Sequence, residues 1–150
     1  DVPFATVRHV ETATEMLDAA LSAVDTADAF VSAAAISDYT VGQADAKIRS
    51  GRDLTLDLEP TPKVLEEVRE AERNLPIVGF KMESETDEMI ARARTLQDRL
   101  DLEFVVANDV SVMAADETAV ELVDGEKVTS FRGSKDELGH RIAAELQNRL

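Results

Sequence analysis

Apolar positions along the chain alternate between two spacings. Met16, Leu17, Ala20, Leu21 and Val24 in TATEMLDAALSAVDTA (12–27) recur at the helical period, and Thr12 with Glu15 has the form of a capping box. TPKVLEEVREAERN (61–74) predicts a second helix, with Thr61 as its cap and Pro62 at the first helical position. ETDEMIARARTLQDRL (85–100) predicts a third, and SKDELGHRIAAELQNRL (134–150) a terminal helix beginning near Ser134. Strands are predicted at PFATVRHV (3–10), LPIVGFKM (75–82) and LEFVVANDV (102–110). ADAFVSAAAI (27–36) is nearly continuous in apolar residues, as expected of a central parallel strand covered on both faces. DLTLDLEP (53–60) alternates apolar and acidic residues, the pattern of a half-exposed strand or arm. TAVELVDGEKVTSFRG (118–133) reads as a β-hairpin at the sheet edge, with Asp124-Gly125 at the turn.

This order of elements predicts one α/β domain over 1–150, a doubly wound, mostly parallel, Rossmann-like sheet. Helices cover both faces and a β-hairpin lies near the C-terminus. No repeat, low-complexity segment or linker interrupts it. Hydrophobic content of 44% with 4% aromatic residues requires a core built from Ala, Val, Leu and Ile.

Charge changes the picture more. Thirty-one acids against sixteen bases give a formal net charge of −15, which opposes nucleic acid and anionic membrane as partners. An acidic surface poor in lysine also suits high salt, where screening relieves self-repulsion. The lysines, Lys47, Lys63, Lys81, Lys127 and Lys135, therefore become worth locating. With no cysteine, disulfides, thiolate nucleophiles and cysteine-ligated metals are excluded. The N-terminal residues lack a signal pattern and no apolar run approaches a membrane span, so a cytoplasmic protein is expected.

In such sheets ligands bind beyond the carboxyl ends of the strands. Three apolar strands end in unusual chemistry: Ala33-Ala34-Ala35 followed by Asp38-Tyr39, Gly79-Phe80-Lys81, and Ala107-Asn108-Asp109. Parallel strands would bring all three endings to one rim. Small residues there let a ligand reach backbone groups. Lys47 and Lys81 would supply cations, each worth about 4 kcal/mol at 4 Å and an effective dielectric near 20, before desolvation. Each feature also has a packing explanation: close strand–helix contact for the alanines, a core aromatic for Phe80, turn chemistry for Asn108-Asp109. His9 and His140 have no recognisable nucleophile or metal partner and read as structural. Neither a Walker-type loop nor GxGxxG occurs, and the six glycines are dispersed.

The segments AAAISDY, ADAKIRSG, LTLDLEPTPKVL, IVGFKMES, LDLEFVVANDV and VETATEML resemble, across nearly the whole chain, motifs of phosphopantothenoylcysteine synthetase. That enzyme of coenzyme A synthesis is often fused behind a flavin-dependent decarboxylase. The resemblance implies a ligase that joins 4′-phosphopantothenate to cysteine through an acyl-cytidylate, with CTP as co-substrate, Mg²⁺ on the triphosphate, and a homodimeric assembly. Lys47 matches the family's loop lysine and is the expected catalytic residue. Ala34, Ala35, Asp38, Gly79, Phe80, Lys81, Asn108 and Asp109 fall at or beside the nucleotide-rim motifs, with cytosine recognised through backbone near Ala35 and Phe80. Asp38 is expected at either the ribose or the metal. Lys81-Met82 stands where the bacterial pattern has two alanines. The family's preceding Gly-Gly-Thr half has no counterpart in these residues, so the chain is expected to be the C-terminal part of a synthetase domain and a poor enzyme alone. A non-catalytic nucleotide-binding or dimerisation module of the same fold is the alternative.

Overall fold

A computed structural model describes residues 4–42, 47, 49–51, 53–83, 86–109 and 118–150. Its elements run α1 (Ala13–Val24), β1 (Phe30–Ser32), β2 (Tyr39–Val41), β3 (Leu58–Pro60), α2 (Val64–Ala71), β4 (Ile77–Glu83), α3 (Thr86–Leu100), β5 (Phe104–Asp109), β6 (Thr118–Asp124), β7 (Lys127–Gly133) and α4 (Lys135–Gln147). The main sheet has the order β1-β4-β5-β6-β7, while β2 and β3 pair separately. β1, β4 and β5 are parallel; β6 turns antiparallel to β5 and pairs with β7 as a hairpin. The expected α/β architecture with a mostly parallel core is therefore present.

Strand alternation divides the interior in two. Ile77, Val105, Ala107 and Val123 face one layer, where α1 contributes Ala20 and Val24, α2 contributes Val64 and Val68, and α3 contributes Met89 and Ala93. Val78, Phe104, Val106 and Leu122 face α4, which contributes Leu138, Ile142 and Leu146. Burying one such Val, Leu, Ile or Phe side chain stabilises the fold by about 1.5–3 kcal/mol. The helix starts follow from their caps. Thr12 accepts from the Glu15 amide while the Glu15 carboxylate accepts from the Thr12 amide, and Ser134 and Glu137 repeat the arrangement on α4.

Four expectations change. Residues 5–10 form no strand. A cavity of about 640 Å³ lies between them and β1, so they have no ladder partner there. The apolar run at 27–36 yields only a three-residue strand at the sheet edge. Ala33, Ala34 and Ala35 leave the ladder and are exposed, because among the described residues nothing covers them. Thr61 does not cap α2: its hydroxyl donates to the Ser37 carbonyl, and the helix starts at Val64 with Lys63 as a cap that makes no side-chain capping bond. The hairpin turn is Gly125-Glu126, one residue later than expected, since Asp124 pairs with Lys127. Gly125 takes φ +55°, a conformation that favours glycine.

Candidate active site

The parallel registers place three strand ends together. Ser32 pairs with Gly79, Lys81 with Ala107 and Met82 with Asn108, so β1, β4 and β5 all finish at the same rim. Beyond them opens a cavity of about 810 Å³. Ala34, Ala35, Asp38, Phe80, Lys81 and Asn108 line its rim side. Its far wall is the apolar face of α4, with Leu138 and Ile142. Such a volume lies within the range of pockets for drug-sized ligands. Phe80 earns its place through strand alternation. It points to the α4 layer with Val78, and packs half-buried against that core.

A second, more polar cleft of about 220 Å³ lies on the α2–α3 side, lined by Thr61, Lys63 and Glu66. Ala34, Asp38, Phe80 and Lys81 line both spaces and so form the wall between them. Asp38 is ion-paired with Lys63. That hydrogen bond, with the lysine charge behind it, holds the Asp38 carboxyl below its usual range, and Lys81 adds a smaller pull in the same direction. The Asp38 carboxylate in turn raises the Lys63 ammonium. Backbone bonding fixes the geometry, since the Thr61 amide donates to the Asp38 carbonyl at 3.0 Å.

Lys81 donates to Glu83 at 2.9 Å, and Arg92 of α3 meets the same carboxylate at 3.1 Å. The Glu83 side chain is only 13% exposed. Its hydrogen bond with Lys81 lowers its pKa, against the opposing effect of burial.

The expected residues divide accordingly. Ala34, Ala35, Asp38, Phe80, Lys81 and Asn108 converge on the large cavity. Gly79 does not: it faces the other layer, where an added Cβ would lie 2.8 Å from Leu102 Cδ1. Its small size serves helix–strand approach there. Lys47 is exposed and is not among the residues lining either space. Asp109 ends β5 opposite Glu83, and its side chain lies outside the described residues. Sequence reasoning passed over the α4 wall, whose helical period looked like plain core. It singled out Lys63 only as one of five lysines, although its position just after Thr61-Pro62 puts it beside Asp38.

A metal at Asp38 would need help from outside this chain's described part. Among the described residues, no group of three His, Cys, Asp or Glu side chains could hold an ion. Magnesium is commonly bound by one or two carboxylates together with substrate phosphates, a pattern that a lone Asp38 fits. Among the same residues no helix is long and apolar enough to cross a membrane.

Known proteins share both the sequence and the fold. The family profile of the DNA/pantothenate metabolism flavoprotein C-terminal domain matches residues 1–150. The coenzyme A biosynthesis bifunctional protein CoaBC of Thermococcus kodakarensis is 39% identical over 148 residues, which is 95% of this chain and 37% of that protein. The chain thus spans little more than a third of that curated relative's length. Among solved structures, the DNA/pantothenate metabolism flavoprotein from Streptococcus pneumoniae aligns with a TM-score of 0.85 at 20% identity, covering 100% of this chain and 76% of that one. A mutant Cab2 in complex with phosphopantothenate-cysteine aligns with a TM-score of 0.60 at 26% identity, over 78% of this chain and 42% of that one.

Proposed function

The chain belongs to the family of the DNA/pantothenate metabolism flavoprotein C-terminal domain, and we propose that it carries much of the synthetase site of coenzyme A biosynthesis, where 4′-phosphopantothenate is ligated to cysteine. The observation that carries this reading is the meeting of three separate strand ends on one cavity large enough for a nucleotide and its acyl partner. The relative named CoaBC and the Cab2 complex with phosphopantothenate-cysteine support the same chemistry.

The proposed reaction has two steps. A carboxylate oxygen of phosphopantothenate attacks the α-phosphorus of CTP, and pyrophosphate leaves with the bridging electrons. The cysteine amine then attacks the acyl carbon, CMP leaves, and the amine loses a proton. Displacement at phosphorus depends mainly on positioning and charge neutralisation. Ala34 and Ala35 leave the backbone open to the base, and Phe80 offers a ring beside it. Asn108 provides a donor and an acceptor at the cavity edge. Asp38 serves the ribose or the metal. Magnesium, carried on the triphosphate, would supply charge neutralisation. Lys47 would screen the charge of the phosphates, and exclusion of water would protect the activated acyl group. Gly79, set into the α2–α3 layer, drops out of this ligand set. The protein is proposed to act as a homodimer and to be joined to a flavin-dependent decarboxylase.

The test is pyrophosphate release by the full-length protein on addition of CTP, Mg²⁺ and phosphopantothenate. Release that requires all three supports the ligase. CTP binding with no release would instead favour a nucleotide-binding module without catalysis.

A further inference from the structure

Charge alternates along the wall between the two cavities. Lys63 pairs with Asp38; Lys81, lining the same cleft, pulls on the Asp38 charge and pairs with Glu83; Glu83 also meets Arg92, and Arg92 meets Glu88 at 2.6 Å. The two lysines come from different elements, Lys63 from the start of α2 and Lys81 from the end of β4. Both border the smaller cleft, and Lys81 borders the large cavity as well.

We propose that Lys63 and Lys81 form a two-cation clamp for the phosphate oxygens of the ligand, with Asp38 as the counter-ion that Lys63 exchanges for them. The clamp rests on the nucleotide-site reading above and deepens it by naming which cations hold the polyphosphate. Three features carry it. First, the pairing of Lys63 with Asp38 is open to solvent, with the side chains 51% and 73% exposed. Exposed ion pairs hold their partners weakly, whereas phosphate oxygens accept stronger charge-assisted bonds. Second, Glu83 is mostly buried and already has two cations, so Arg92 still neutralises it when Lys81 turns toward a ligand. Third, a chain of net charge −15 repels any polyanion unless cations converge locally, and Lys63 and Lys81 converge on the smaller cleft.

The test uses metal-free inorganic pyrophosphate, titrated calorimetrically into the full-length protein. Lys63→Ala and Lys81→Ala should each weaken binding about tenfold, a loss of about 1.4 kcal/mol. Asp38→Asn should tighten it, because the competing carboxylate charge is gone. Wild-type affinity in both lysine variants would overturn the clamp. So would Asp38→Asn weakening binding as much as the lysine variants do, which is the signature of a purely structural lock. A wild-type protein that binds no pyrophosphate also overturns it. CTP-dependent turnover is measured separately, so failure of the clamp and failure of the proposed ligase read apart.

Discussion

A single hydrogen atom in place of a side chain lets β4 approach the α2–α3 layer at Gly79. The Leu65 and Leu96 methyls stand 3.6 and 3.7 Å from where a Cβ would be, beyond the closer Leu102. Gly79→Val should therefore overpack the layer and destabilise the protein by about 1–3 kcal/mol in urea unfolding. Period-two alternation already contained this: if Phe80 faces α4, its neighbour Gly79 must face the other way. The grouping of Gly79 with the rim residues followed the motif and ignored the pleat. Glu83 carries a second prediction at this scale. Its folded pKa lies below the ordinary 4.5, chiefly through its bond with Lys81. Because the folded carboxyl holds its proton less tightly than the unfolded one, its contribution is complete above the unfolded pKa. It vanishes as pH falls through the folded value. Chemical unfolding between pH 7 and pH 3 should show stability falling below about pH 4.5, and Glu83→Gln should flatten that limb. An equal pH slope in the variant would remove Glu83 from the balance.

Among the elements, the β2–β3 pair stands apart. Tyr39, Val41, Leu54, Leu56 and Leu58 are all exposed large apolar side chains on it or just before it, and among the described residues β2 and β3 pair only with each other. A lone two-stranded ribbon is marginal in water, and an apolar patch of this kind marks a contact surface. The arm was legible from its alternation of apolar and acidic residues. Its pairing with Tyr39–Val41 was not, because that three-residue strand is too short to show a period. If the protein is the homodimer proposed above, replacing Leu54, Leu56 and Leu58 together by serine should turn it into a monomer in light scattering after size exclusion. An unchanged mass would move the interface elsewhere. Helices were read more securely than strands, since the capping box at Thr12 announces itself locally and Ser134 marks the start of α4. Strand 27–36 was overread because an apolar run reports burial potential but not whether a partner lies beside it. The hairpin is fastened by Gln97, which donates to the Leu102 and Glu103 carbonyls and accepts from the Gly125 amide. Nothing in the sequence marks Gln97, the single glutamine of α3, for that role.

At the scale of the molecule, the fold class was legible because the order of periods allows few topologies, and parallel pairing then forces the strand ends together. Hence Asp38, Phe80 and Asn108, far apart in order, border one space. The α4 wall and the Lys63–Asp38 pairing were not legible, since both depend on how helices settle against the sheet. Chain-wide acidity sharpens the meaning of that rim, because a polyanion finds few other cations to hold it. The central claim is that this cavity takes the nucleotide. Ala34 is exposed and borders the cavity, so Ala34→Leu fills the space without disturbing the core. The most direct measurement is the affinity of CTP with Mg²⁺ for the full-length protein, for Ala34→Leu and for Asn108→Ala, by calorimetry. Both variants are expected to bind at least about tenfold more weakly than wild type; CTP bound as tightly by both as by wild type would contradict the account.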